Sequence, residues 1–115
     1  MYVNGIGVKQ DYSKATKLYE KACNGGVYDA CGLLGVMYEE GKGVKQDYSK
    51  AIKLYEKTCN SGVAFSCNSL GKMYSNGNGV KQNYFKAAKL YEKACNGEFA
   101  IGCFNLGLML ISHVI

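Results

Sequence analysis

Apolar residues along this chain recur at steps of three and four, and glycine-rich turns interrupt them at regular intervals. Over residues 12–23, Tyr12, Ala15, Tyr19, Ala22 and Cys23 fall on one side of a helical projection. Lys14, Lys17 and Lys21 fall on the other. Asp11 stands just ahead of this stripe, where its side-chain oxygen can cap free backbone N–H groups. Asn24-Gly25 supplies residues that tolerate left-handed backbone at the helix end. A second stripe then carries Val27, Ala30, Cys31, Leu34, Met37 and Tyr38, and it ends at Gly41. The pattern predicts two antiparallel helices joined by a short turn.

The same pair returns twice. Cys23, Cys59 and Cys95 are 36 residues apart, and so are Cys31, Cys67 and Cys103. "GVKQDYSKATKLYEKAC" and "GVKQDYSKAIKLYEKTC" differ only at Thr16/Ile52 and Ala22/Thr58, and the third copy reads "GVKQNYFKAAKLYEKAC". A fixed period of this length is the mark of a stacked repeat. The predicted fold is all-α: one α-solenoid of antiparallel helix hairpins over 1–115, in units of about 5–40, 41–76 and 77–112. Gly35, Gly71 and Gly107 fall inside the second helix of each unit, where Gly costs about 1 kcal/mol relative to Ala. Their recurrence predicts close helix approach, with Ala15, Ala51 and Ala87 as the small residues on the partner helix.

Composition narrows the function classes. The formal charge of +5 invites a nucleic-acid reading, yet all 14 basic residues are Lys. Without an Arg fork for base or phosphate recognition, that reading is set aside. No apolar run is long enough to span a bilayer, and no charged-then-apolar secretory signal opens this chain.

The pattern LGxMYxxGxGVxxDxxKAxxLYxKAC, read at Leu34 to Cys59 with Thr58 at the penultimate position, resembles the Sel1-like repeat, a relative of the tetratricopeptide repeat with a longer turn. One pair of cysteines per unit, seven residues between its members, is similar to the Helicobacter cysteine-rich protein family of secreted Sel1-like proteins. The resemblance runs to Met109. Each pair, Cys23/Cys31, Cys59/Cys67 and Cys95/Cys103, brackets a hairpin turn, where a bridge is geometrically accessible. Closing so short a loop is worth about 2.5 kcal/mol per bridge in the chain-entropy model. The competing reading is a metal site. It would need two pairs to converge, but no CxxC occurs and the one His, His113, lies in an off-pattern tail. Structural disulfides are therefore expected, with no metal and no cofactor, and with an oxidising compartment, periplasmic or secreted, for the parent protein.

Comparison among the copies separates repeated scaffold from variable positions. The variable registers are Asp29, Gly32, Leu33, Val36 and Glu40 in the first copy, and Phe65, Asn68, Ser69, Lys72 and Asn76 in the second. The third copy has Ile101, Phe104, Asn105 and Leu108 there. Steps of three and four place them on one stripe of the second helix. The functional reading is a concave groove that binds a protein or peptide, with Phe65, Ile101, Phe104 and Leu108 as anchors. The alternative is drift of surface positions, with Phe104 and Leu108 packing on a following helix. Twelve of the lysines fall in repeated columns, which reads as a solvated face that keeps the array soluble.

The family resemblance also implies binding or hydrolysis of β-lactams or cell-wall peptides. One S-x-x-K exists, Ser69 to Lys72, and it would place the two side chains on adjacent helical turns. Seven Ser and 14 Lys in 115 residues make roughly one such match expected by chance. No S-D-N occurs, and Lys57-Thr58-Cys59 lacks the Gly of K-T-G. Ser69 and Lys72 are therefore weak catalytic candidates, secondary to the scaffold reading. Both ends are irregular. Met1-Tyr2 aligns with Met37-Tyr38 and Met73-Tyr74, so the chain is expected to start at the last turn of a helix, as a fragment of a longer array. At the other end, an apolar tail of Leu110 to Ile115 replaces the expected Tyr and Gly. Exposed array ends of this kind predict self-association.

Overall fold

The computed structural model describes residues 2–3, 8–9 and 11–112. Six helices of 13 residues each follow one another: α1 (Tyr12–Asn24), α2 (Tyr28–Glu40), α3 (Tyr48–Asn60), α4 (Ala64–Asn76), α5 (Tyr84–Asn96) and α6 (Ala100–Ser112). They stack into a body of 49 × 28 × 25 Å, elongated as a solenoid is. Ahead of α1, β1 (Tyr2–Val3) pairs antiparallel with β2 (Val8–Lys9). This corrects the expectation of a helical turn at the chain start. Tyr2, Val3 and Val8 suit a pleated strand, and the Tyr2–Lys9 and Val3–Val8 pairing is satisfied locally. Met1, His113, Val114 and Ile115 lie outside the described residues.

Local chemistry sets the helix boundaries. Asp11, Asp47 and Asn83 each accept a hydrogen bond from the backbone N–H three residues on, at 3.0, 3.1 and 3.0 Å. Gly41 and Gly77 end α2 and α4 in the left-handed conformation, at φ 68° and 71°. The odd-numbered helices end differently from the sequence expectation. Gly25 keeps φ −83°, and the left-handed residue is the next one, Gly26 at φ 96°. Val27 N–H then reaches back to the Ala22 carbonyl, so the turn closes one residue later than Asn24-Gly25 suggests.

Three bridges staple the hairpins: Cys23–Cys31, Cys59–Cys67 and Cys95–Cys103, with Cα atoms 4.7, 4.6 and 4.5 Å apart. All six cysteines lie in these bridges. The first two bridges belong to the core. Cys23 and Cys31 pack with Ala30, and Cys59 and Cys67 pack with Ala94. The central cluster is Ala51, Ile52, Tyr55, Leu70 and Met73.

The mid-helix glycines act where a following helix covers them. A Cβ on Gly35 would lie 2.7 Å from the Tyr55 ring, and one on Gly71 would lie 2.8 Å from the Tyr91 ring. Ala51 and Ala87 are completely buried in the same interfaces, as the small-residue reading expected. Gly107 departs from it: a Cβ there meets nothing within 4 Å, and Ala15 is only half-buried.

Candidate binding surface

Helices α2, α4 and α6 lie side by side, and the variable stripe runs across them. The Phe65 ring sits on Gly32, where an added Cβ would come within 2.6 Å of it. The Asn105 side-chain amide donates to the Asn68 side-chain oxygen at 2.9 Å, tying α6 to α4. Phe65 is half-buried and Asn68 is buried at 6% exposure, so both serve the packing between helices. Val36 is also half-buried and packs on the central cluster. Asp29, Leu33, Lys72 and Asn76 are exposed, as are Ile101, Phe104 and Leu108. These, rather than Phe65 and Asn68, are the stripe residues available to another molecule.

Beneath the stripe lies a polar network that sequence patterning read as plain core. Tyr55 is fully buried, and its hydroxyl donates to the Glu39 carboxylate at 2.7 Å. Ser69 on α4 lies near enough to the same phenol to oppose the upward shift that burial imposes on it. Burial pushes the Tyr55 phenol well above its ordinary range, and the Glu39 charge adds to the effect. Tyr91 is also raised by burial, but Ser75 stands at the register of Glu39 and opposes the shift. The available signal was the tyrosine column itself, because a buried Tyr ordinarily finds a partner for its hydroxyl.

This network also accounts for Ser69. Its side chain acts on the Tyr55 phenol, opposing the upward shift, while Lys72 is exposed. A small cleft of about 170 Å³ opens beside Tyr91, lined by Ser75, Asn105, Leu108, Met109 and Ser112. That is below the size of an ordinary small-molecule pocket. Among the described residues, no group of three His, Cys, Asp or Glu side chains could hold a metal ion. No described helix is long and apolar enough to cross a membrane.

The lysines from Lys14 to Lys93 are all exposed. Some also clamp neighbouring helices: Lys50 sits over the Tyr38 ring at 5.2 Å, and Lys86 over the Tyr74 ring at 4.6 Å. The lysine face therefore contributes to stacking as well as to solubility.

Stapled hairpins in series, with scaffold positions repeated and one stripe left variable, define an α-solenoid repeat protein. The chain belongs to the Sel1-repeat family, whose model, Sel1 repeat, matches residues 1–27, 29–63 and 64–98. In that phase, Cys23–Cys31 and Cys59–Cys67 each join one matched unit to the next. Among solved structures, a Sel1 repeat protein from Oxalobacter formigenes is 31% identical with a TM-score of 0.83, over 89% of this chain and 42% of that one. The protective antigen c5321 of uropathogenic Escherichia coli is 39% identical with a TM-score of 0.83, over 92% and 23%. Helicobacter pylori cysteine-rich protein B is 35% identical with a TM-score of 0.76, over 84% and 73%. The chain spans less than half the length of the first two. A search of curated proteins finds no match.

Proposed function

We propose that this protein is a disulfide-stapled interaction scaffold, working in the periplasm or outside the cell, that binds a protein or peptide along the α2–α4–α6 surface. Sel1 repeats are protein-interaction repeats, which supports the class. The observation that carries the reading is the division of labour on this surface. Phe65, Asn68 and Asn105 hold the helices together, while Leu33, Lys72, Ile101, Phe104 and Leu108 stand exposed along the same stripe. Exposed apolar side chains beside a charge fit an extended peptide with apolar anchors and an acidic group. The bridges support an oxidising compartment.

The test is selection from a displayed random-peptide library on the immobilised protein with its disulfides intact. The selected peptide is then mapped by amide hydrogen exchange. Protection centred on α2 and α4, lost in Leu33→Asp and Lys72→Glu, is the expected result. A footprint on the lysine faces of α1, α3 and α5, or binding unaffected by both substitutions, would sink the proposal. Phe65 and Asn68 are left intact because changing them would disturb the stacking itself.

A further inference from the structure

Asparagine followed by glycine is prone to lose its side-chain amide. The glycine nitrogen, once deprotonated, attacks the asparagine carboxamide, and glycine has no side chain to hinder the ring closure. Four such pairs lie among the described residues: Asn24-Gly25, Asn76-Gly77, Asn78-Gly79 and Asn96-Gly97. The fold treats them unequally. Gly25 N–H is shared between the Lys21 and Ala22 carbonyls, and Gly97 N–H between those of Lys93 and Ala94, all at 3.1 Å. Gly77 N–H donates to the Met73 carbonyl. A nitrogen held in this way cannot turn onto the neighbouring side chain without breaking its bond. Gly79 is the exception: it is exposed, and its N–H makes no hydrogen bond among the described residues.

The loop that carries Gly79 also tolerates little change of backbone. Gly79 adopts φ 73°, and a Cβ on it would stand 2.5 Å from the Tyr48 side chain and 3.0 Å from that of Ile52. The loop backbone therefore lies directly on α3. It is pinned to α4 as well, because Asn78 N–H donates to the Met73 carbonyl at 3.0 Å and Asn83 N–H to the Tyr74 carbonyl at 2.9 Å. The loop between α2 and α3 has the same form, with Gly43 at φ 75° seated on Tyr12 and Thr16. There Lys42 stands in place of Asn78, and lysine has no amide to cyclise.

We propose that Asn78 is a site of spontaneous deamidation, and that the fold directs the reaction to it. A solvent base removes the Gly79 amide proton. The nitrogen attacks Asn78 Cγ, a C–N bond forms, and the side-chain nitrogen leaves as ammonia, closing a succinimide. Water then opens the ring at either carbonyl, giving an aspartyl or an isoaspartyl residue. Water is consumed and ammonia released in equal amounts, with no redox change. Both products add a negative charge. The isoaspartyl product also inserts a methylene into the main chain directly before Gly79, between two pinned points. It lifts Gly79 from Tyr48 and Ile52, so the α4–α5 loop ages by losing its hold on α3.

The test incubates the full chain, disulfides intact, at mildly alkaline pH. Samples are then cleaved after lysine under mildly acidic conditions and read by mass spectrometry with electron-transfer fragmentation. Asn76 and Asn78 share the peptide Met73–Lys81, so one calibrates the other. Asn78 should convert roughly fivefold faster than Asn76, the equivalent of a hydrogen bond of about 1 kcal/mol. In urea, where the helix end is lost, the two rates should converge. Equal rates in the folded protein, or a preference that persists in urea, would overturn the proposal. Asn78→Lys copies the first loop and should abolish the fast conversion in this segment; conversion that continues there at the parent's rate overturns the assignment. The isoaspartyl form, isolated by ion exchange, should unfold at lower urea than the parent, while Asn78→Asp, which carries the charge alone, should stay close to it. An isoaspartyl form as stable as Asn78→Asp would overturn the seating argument.

Discussion

Gly71 and Gly107 occupy the same register of successive repeats, yet replacing each by Ala should move stability in opposite directions. In both helices the substitution removes the backbone-entropy cost of Gly, worth about 1 kcal/mol. At Gly107 nothing opposes this gain, because the new Cβ meets no atom within 4 Å. At Gly71 the Cβ would stand 2.8 and 2.9 Å from two Tyr91 ring carbons and 3.3 Å from the Ala87 carbonyl oxygen. Carbon contacts settle near 3.5–4.0 Å, so the ring has to withdraw by roughly 0.7 Å. Tyr91 is 5% exposed and is held by Ala87, Ala88 and Met109, so withdrawal means repacking α5. Overpacking of this kind costs about 1–3 kcal/mol, which exceeds the helix-propensity gain. The two variants should therefore differ by about 2 kcal/mol, or roughly 8 °C in Tm for a chain of this size. Thermal and urea unfolding by far-UV circular dichroism, in dilute protein, measures the gap. A Gly71→Ala protein that melts at or above the parent would refute the close-approach argument. A Gly107→Ala protein that loses stability would refute the claim that its face is open.

Three further outcomes are expected. Glu98 adopts φ 66° where the other copies place Gly26 and Gly62, so Glu98→Gly should raise stability by about 1 kcal/mol in urea unfolding. Cys103 is exposed and Cys95 half-buried, whereas the other four cysteines are at most 8% exposed. Mild reduction followed by alkylation and mass spectrometry should therefore label Cys95 and Cys103 first. Tyr55 and Tyr91 have phenols raised above 10.0 by burial, so the folded state holds their protons more tightly than the unfolded one. That stability is fully present below the unfolded phenol range and is lost as pH climbs above it. Unfolding measured from neutral to strongly alkaline pH should show the decline, and Tyr55→Phe should flatten it.

Much of this molecule can be read from one repeat. Helix positions follow from the three-and-four spacing and from Asp11, Asp47 and Asn83 as caps, all of which act within a few residues. The cysteine pairing is equally local, because each pair spans one hairpin turn. The candidate surface is only half legible. Internal variation located the stripe, but it could not separate Leu33 and Lys72, which face solvent, from Phe65 and Asn68, which hold neighbouring helices. That distinction depends on which residue of the next helix lies opposite, and so does the influence of Ser69 on the Tyr55 phenol.

By itself, then, the sequence determined what short-range chemistry controls: six helices, their N-caps, their bridges and the repeating stack. Tertiary structure decided what depends on a neighbour 16 to 37 residues away. It made Gly35 and Gly71 sockets for tyrosines and left Gly107 open. It also set the Glu39 carboxylate on the Tyr55 hydroxyl and Asn105 against Asn68. The physical reason is that identical registers acquire different roles once a covering helix is present or absent, and helical periodicity carries no record of that cover.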